Sequence, residues 1–172
     1  MRSITRTTLV LGFAAAIAAG VAMPASAVDT TTTVEVAATG GIAITAPANA
    51  AAFVVTPFST AEVDVLGIEV TDNRSGKVDW AASITLTDFV GGATAAILPA
   101  SGVIYIPEAA ATTGTATVTP STASNPVAPR TVQTATGVSG NNTATWDADL
   151  AIPVPANTLA DIYTATLTHS VL

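Results

Sequence analysis

An all-β fold, built of two antiparallel sheets packed face to face, is what this sequence predicts, with a small β-barrel as the alternative. Three observations carry the prediction. Apolar residues recur at every second position in several stretches. Thr and Val are abundant while Lys and Glu are scarce, and Gly or Pro punctuates the chain at short intervals. Nowhere does a long stretch show the three-and-four spacing of an amphipathic helix.

The elements follow in order. Val34 and Val36 alternate with Thr33, Glu35 and Ala37 before Gly40-Gly41, a first short strand. Leu66, Ile68 and Val70 alternate with Gly67, Glu69 and Thr71, and a polar turn follows at Asp72-Asn73-Arg74-Ser75-Gly76. Trp80, Ala82, Ile84 and Leu86 then share one face of a strand. Val103 to Ile106 is a short apolar strand stopped by Pro107.

The longest alternation places Ala144, Trp146, Ala148, Leu150, Ile152 and Val154 inward, with Thr143, Thr145, Asp147 and Asp149 between the first of them. Pro153 and Pro155 cannot donate to a ladder, so the strand ends there or lies on an edge. A closing strand puts Tyr163, Ala165, Leu167, His169 and Val171 on one face. Residues 108–142, rich in Ala, Thr, Ser, Gly and Pro, read as a flexible region. It holds two weak strands near Thr115–Thr119 and Thr131–Thr134, with a mobile loop from Pro120 to Pro129 between them. Sheets with one dry and one wet face must hide the dry face, and a second sheet does so.

The N-terminus predicts export. Arg2 and Arg6 precede an apolar run from Leu9 to Met23, and Ala25-Ser26-Ala27 is a small-x-small cleavage pattern. The run is shorter than the ~20 residues that span a bilayer. Residues 1–27 are therefore expected to be a cleaved signal peptide and residues 28–172 a single domain, secreted and free of membrane after cleavage. With Arg2 and Arg6 removed, Arg74, Lys77 and Arg130 face twelve Asp and Glu. That balance disfavours nucleic acid and anionic lipid surfaces.

Cysteine is absent, which excludes disulfides, thiolate metal sites, a cysteine nucleophile and a lipoprotein anchor. Leu98-Pro99-Ala100-Ser101-Gly102 loosely matches a sortase signal, but β-type sequence follows it instead of an apolar segment and basic tail. Any attachment to a cell surface is expected to be non-covalent.

Few residues could carry chemistry. His169 is the lone histidine, too little for a Ser-His-Asp triad or a histidine metal site. Asp147 and Asp149, ~7 Å apart on one strand face, read as a solvated acidic face, since nothing near them would raise one pKa for acid catalysis. The chain is expected to be no enzyme and to need neither cofactor nor metal. Candidate binding residues are Asp72, Asn73 and Arg74 in the polar turn, the aromatic pair Trp80 and Trp146, and His169. The turn residues also suit a purely structural turn, and the unbroken alternation around both Trp residues favours the core over a sugar-stacking platform.

Two blocks resemble the WxL domain of Gram-positive surface proteins. Leu66–Phe89, LGIEVTDNRSGKVDWAASITLTDF, is similar to the family's strand, DNRG-like turn and first Trp strand. Ala135–Leu172, ATGVSGNNTATWDADLAIPVPANTLADIYTATLTHSVL, is similar to its closing strands, a pattern shared with bacterial immunoglobulin-like, Greek-key domains. The first Trp-x-Leu motif stands here as Trp80-Ala81-Ala82 and the second as His169-Ser170-Val171. The resemblance implies a WxL-like sandwich that associates non-covalently with the cell wall, with peptidoglycan or another surface protein as partner. The alternative is an adhesin-like or pilus-like module that binds a protein partner, for example by strand addition.

Overall fold

The computed structural model describes residues 40–48 and 56–172. The signal segment and the strand expected around Val34 and Val36 lie outside these residues. The described chain is all-β, with every strand pair antiparallel.

Ten strands follow in chain order. They are β1 (Ile42–Thr45), β2 (Thr60–Asp72), β3 (Trp80–Leu86), β4 (Phe89–Gly91) and β5 (Ile97–Leu98). A single 3₁₀ turn (Ala100–Gly102) precedes β6 (Ile104–Pro107), β7 (Ala111–Pro120), β8 (Arg130–Pro153), β9 (Tyr163–Thr164) and β10 (Leu167–Val171). Seven strands form one sheet in the order β1-β2-β8-β3-β10, with β6 and β7 also on β8. The other three form a small sheet, β5-β4-β9.

β8 organises the fold. One of its edges pairs first with β3, through Arg130 to Ala135, and then with β2, through Asn142 to Pro153. The other edge pairs with β7 and then β6. Between its two halves Gly137 and Gly140 take positive φ, +64° and +76°, and Gly114 on β7 does the same at +75°. Glycine adopts this conformation without a Cβ clash, so both strands can turn a corner together. The turn is sharp: Gln133 Nε2 donates to the Glu108 carbonyl at 2.7 Å, while the Glu108 N–H donates to Asp147 at 2.9 Å. Residues far apart along β8 thus meet the same neighbour. β1 and β10, the two ends of the strand path, lie side by side without pairing, so the large sheet is nearly closed and barrel-like.

The core lies inside this curled sheet. Val63, Val65, Ile68 and Val70 from β2 meet Trp80, Ala82, Ile84 and Leu86 from β3 and Ala144 to Ile152 from β8. Each fully buried Val, Leu or Ile is worth about 1.5–3 kcal/mol against exposure. The expected alternation on β3, on the second half of β8 and along Tyr163–Val171 is observed, the last divided between β9 and β10.

Two expectations need correction. Leu66 does not share a face with Ile68 and Val70; it is 59% exposed. Val65 pairs with Ala148 and Ile68 with Trp146, so Leu66 and Gly67 together oppose Asp147 in a β-bulge. Gly67 has φ +73°, and its N–H donates to Asp147 Oδ1 at 2.7 Å. The extra residue shifts the alternation by one, which lets Val63 and Val65 point inward and carries the strand back to Thr60.

Residues 108–142, expected as flexible, hold all of β7 and the first half of β8. Their Thr-rich composition suits strands once β8 supplies a partner. The loop expected as mobile is tied down as well. Ser124 exchanges backbone hydrogen bonds with Tyr105 at 2.9 and 3.0 Å, and Asn125 Nδ2 reaches the carbonyls of Ala100, Ser101 and Val103 within 3.0 Å.

Candidate functional site

Four of the six candidate residues meet where β2 ends and β3 begins. Asp72 closes β2 with its side chain buried, 1% exposed. Arg74, two residues on, folds back upon it: Nε donates to Oδ1 at 2.8 Å and Nη2 to Oδ2 at 2.9 Å. The Arg74 N–H also donates to Oδ1, at 3.0 Å, the side-chain turn that an Asp two residues upstream favours. Nη2 further donates to the Val78 carbonyl at 2.8 Å, which closes the loop.

From Asp72 the network runs inward. Asn142 Nδ2 donates weakly to Asp72 Oδ2 at 3.4 Å, and Asn142 Oδ1 accepts the Trp80 indole N–H at 3.1 Å. Beside it, Asn141 Oδ1 accepts from both the N–H and the hydroxyl of Ser75, and the Gly140 N–H donates to Gly76. Asn73 holds β1 through its N–H, which donates to Gly41 at 2.9 Å. The Arg74 hydrogen bonds hold the Asp72 carboxyl below the usual carboxylate range, and Asp72 in turn raises the Arg74 guanidinium. Arg74 therefore spends its charge within the chain. It is bonded to Asp72 rather than waiting for a partner carboxylate.

Trp146 and His169 lie elsewhere, Trp146 in the core and His169 half-buried beside Tyr105. Both indoles are 2% exposed, so neither Trp80 nor Trp146 can serve as a surface platform; the inward alternation of their strands puts them in the core. Trp146 stands near the Tyr105 hydroxyl, yet its buried N–H meets no acceptor. His169 Nε2 lies 3.3 Å from the Tyr105 hydroxyl, and the two rings meet edge to face with centroids 6.1 Å apart. Burial pushes the Tyr105 phenol up to about 12 and the His169 imidazole down to about 4. At neutral pH His169 is uncharged and faces the core.

A further feature without a signature in the sequence is a shallow, open cleft of about 360 Å³ beside the end of β8. Phe58, Leu98, Pro99, Ser101, Pro153 and Pro155 are among its lining residues. Phe58 sits at the third position of the turn Thr56-Pro57-Phe58-Ser59, closed by the Ser59 N–H to Thr56 at 3.3 Å. Its φ is +68°. Pro57 signals the turn, but nothing in the sequence says that an aromatic ring fills the left-handed position.

Among the described residues no group of three or more His, Asp or Glu side chains is placed to hold a metal ion, and no helix is long and apolar enough to cross a membrane. In comparison with protein-family models, curated proteins and solved structures, nothing matches the chain.

Proposed function

We propose that the chain is a secreted, non-enzymatic, WxL-like β-sandwich that associates non-covalently with the bacterial cell wall, with peptidoglycan as its partner. In this proposal the bent β7 and β8 contribute to both layers of the sandwich. One observation supports it above the others. The two blocks that resemble the WxL domain, Leu66–Phe89 and Ala135–Leu172, interlock through Arg74, Asp72, Asn142 and Trp80. The DNRG-like turn is thereby a rigid, backbone-anchored loop at one end of the domain. Rigid loops on a sheet scaffold are where binding residues concentrate. The half-buried His169, with Tyr105 as its side-chain partner, offers no nucleophile and base pair for hydrolysis.

The test is cosedimentation of the protein spanning residues 28–172 with purified Gram-positive sacculi. The expected result is recovery in the pellet at neutral pH. Recovery only in the supernatant, over a range of pH and salt, rules wall association out.

A separate observation favours the adhesin-like alternative. The outer face of the small sheet exposes Val90 and Ile97, directly paired, and Ile162 stands exposed beside them. Exposed apolar residues grouped in this way suit a protein partner. Sedimentation velocity of the chain before and after Ile97→Thr separates self-association through this face from a monomer.

A further inference from the structure

We propose that the cleft beside Phe58 binds a neutral sugar ring, with the Phe58 ring as the stacking surface. This names a site for the proposed wall association and rests on it. The first observation is the backbone. A bulky side chain at φ +68° occupies a conformation that glycine takes freely and L-residues avoid. Buried aromatic residues can recover such a cost through packing, but Phe58 is 87% exposed and recovers little. Backbone hydrogen bonds hold the strained turn, but the ring itself gains little packing within the chain, which points to a use outside it.

The second observation is rigidity. Pro57 fixes the turn, and the Phe58 N–H to Val154 at 2.9 Å and the Val154 N–H to Ser59 at 2.8 Å pin it to the end of β8. Pro99, Pro153 and Pro155 stiffen the walls. Little order is lost when a ligand settles on such a surface.

Charge and size select the ligand. No ionisable side chain lines the cleft, although the chain is strongly acidic. A cationic partner would be drawn instead to the outer face of β2 and β8, where Asp64 and Asp149 are directly paired. A stable protein partner needs about 20–30 residues on each side, and the cleft presents only ten. Its volume of about 360 Å³ suits a small ligand. An aromatic ring in a cleft that Ser59, Thr60 and Ser101 also line matches a sugar, which has one apolar C–H face and a rim of hydroxyls.

The experiment is calorimetric titration of the protein spanning residues 28–172 with chitohexaose, an uncharged oligosaccharide, beside the sacculus assay. Phe58→Gly removes the ring and relieves the backbone. It is expected to keep or raise the melting temperature while weakening chitohexaose binding at least tenfold. Phe58→Asn, which also tolerates this conformation, serves if the glycine variant fails to fold. Wild type that binds no chitohexaose, or variants that bind it as well as wild type, overturn the cleft. If wild type pellets with sacculi but ignores chitohexaose, the cleft falls and wall association stands. Binding that needs Phe58 without pelleting keeps the cleft and removes wall association.

Discussion

Gly114→Ala should be far more damaging than Gly137→Ala, although both glycines hold left-handed backbone, φ +75° and +64°. The shared part of the effect is conformational. Placing an L-residue there costs about 1–2 kcal/mol, offset by about 0.4–1 kcal/mol because alanine also restricts the unfolded chain. For Gly137 that is the whole effect, since a Cβ there meets nothing within 4 Å, and a net loss of roughly 1 kcal/mol is expected. At Gly114 a Cβ would stand 2.3 Å from the Asn141 carbonyl oxygen and 3.1 Å from Asn142 Cα. Both are backbone atoms of β8, so β7 and β8 must separate by about 1 Å to restore ordinary contact. Gly114 pairs directly with Asn142, whose side chain receives the Trp80 indole N–H. Displacing Asn142 threatens that bond and leaves a buried donor unpaired, at about 1–3 kcal/mol. The expected loss for Gly114→Ala is therefore roughly 2–4 kcal/mol, a large share of the 5–15 kcal/mol typical of a domain. Urea denaturation followed by circular dichroism measures both variants. Equal losses, within about 0.5 kcal/mol of each other, would refute the corner geometry and the assignment of the Gly114 contact.

Three further outcomes are expected. Arg74→Met removes the charged donors that cover Asp72 and should cost roughly 1–3 kcal/mol in urea denaturation, while the double variant Asp72→Asn, Arg74→Met should lose less. His169, held at about 4 by burial, refuses a proton that the unfolded chain accepts near 6.5. Stability should thus be level above pH 6.5, fall as pH drops from 6.5 to 4 and level again below, and His169→Leu should flatten melting temperatures across that window. Asp161 is held at about 2 by the Thr94 hydroxyl and by the N–H groups of Thr94, Ile162 and Ala93. Its contribution is complete above pH 3.8 and is lost as pH falls toward 2; Asp161→Asn should remove that part of the acid transition in a pH-dependent melting series.

How much was legible before the structure differs from element to element. β3 and the second half of β8 were readable because each has one face against the core and one toward solvent, and a strand records that contrast at every second residue. The outward turn of Leu66 leaves no mark in the local pattern, because a bulge adds a residue to one strand only and the partner Asp147 that reveals it lies far along the chain. β7 is faint in the sequence because Thr and Ala carry little alternation of their own; pairing with β8 makes them a strand. In the candidate site, the Asp72-Asn73-Arg74 turn was visible as a turn, but its link to Asn142 was not. Phe58 was invisible altogether, since the sign of one φ angle and the exposure of one ring are not written in residue type.

Composition and spacing alone determined that this chain is β, acidic and free of cysteine, because those properties belong to single residues and to their near neighbours. Tertiary structure decided which aromatic rings are buried, where the glycine corner bends β8, and that Arg74 pairs with Asp72. Each of these depends on distances between residues far apart in the chain, which only the folded backbone sets.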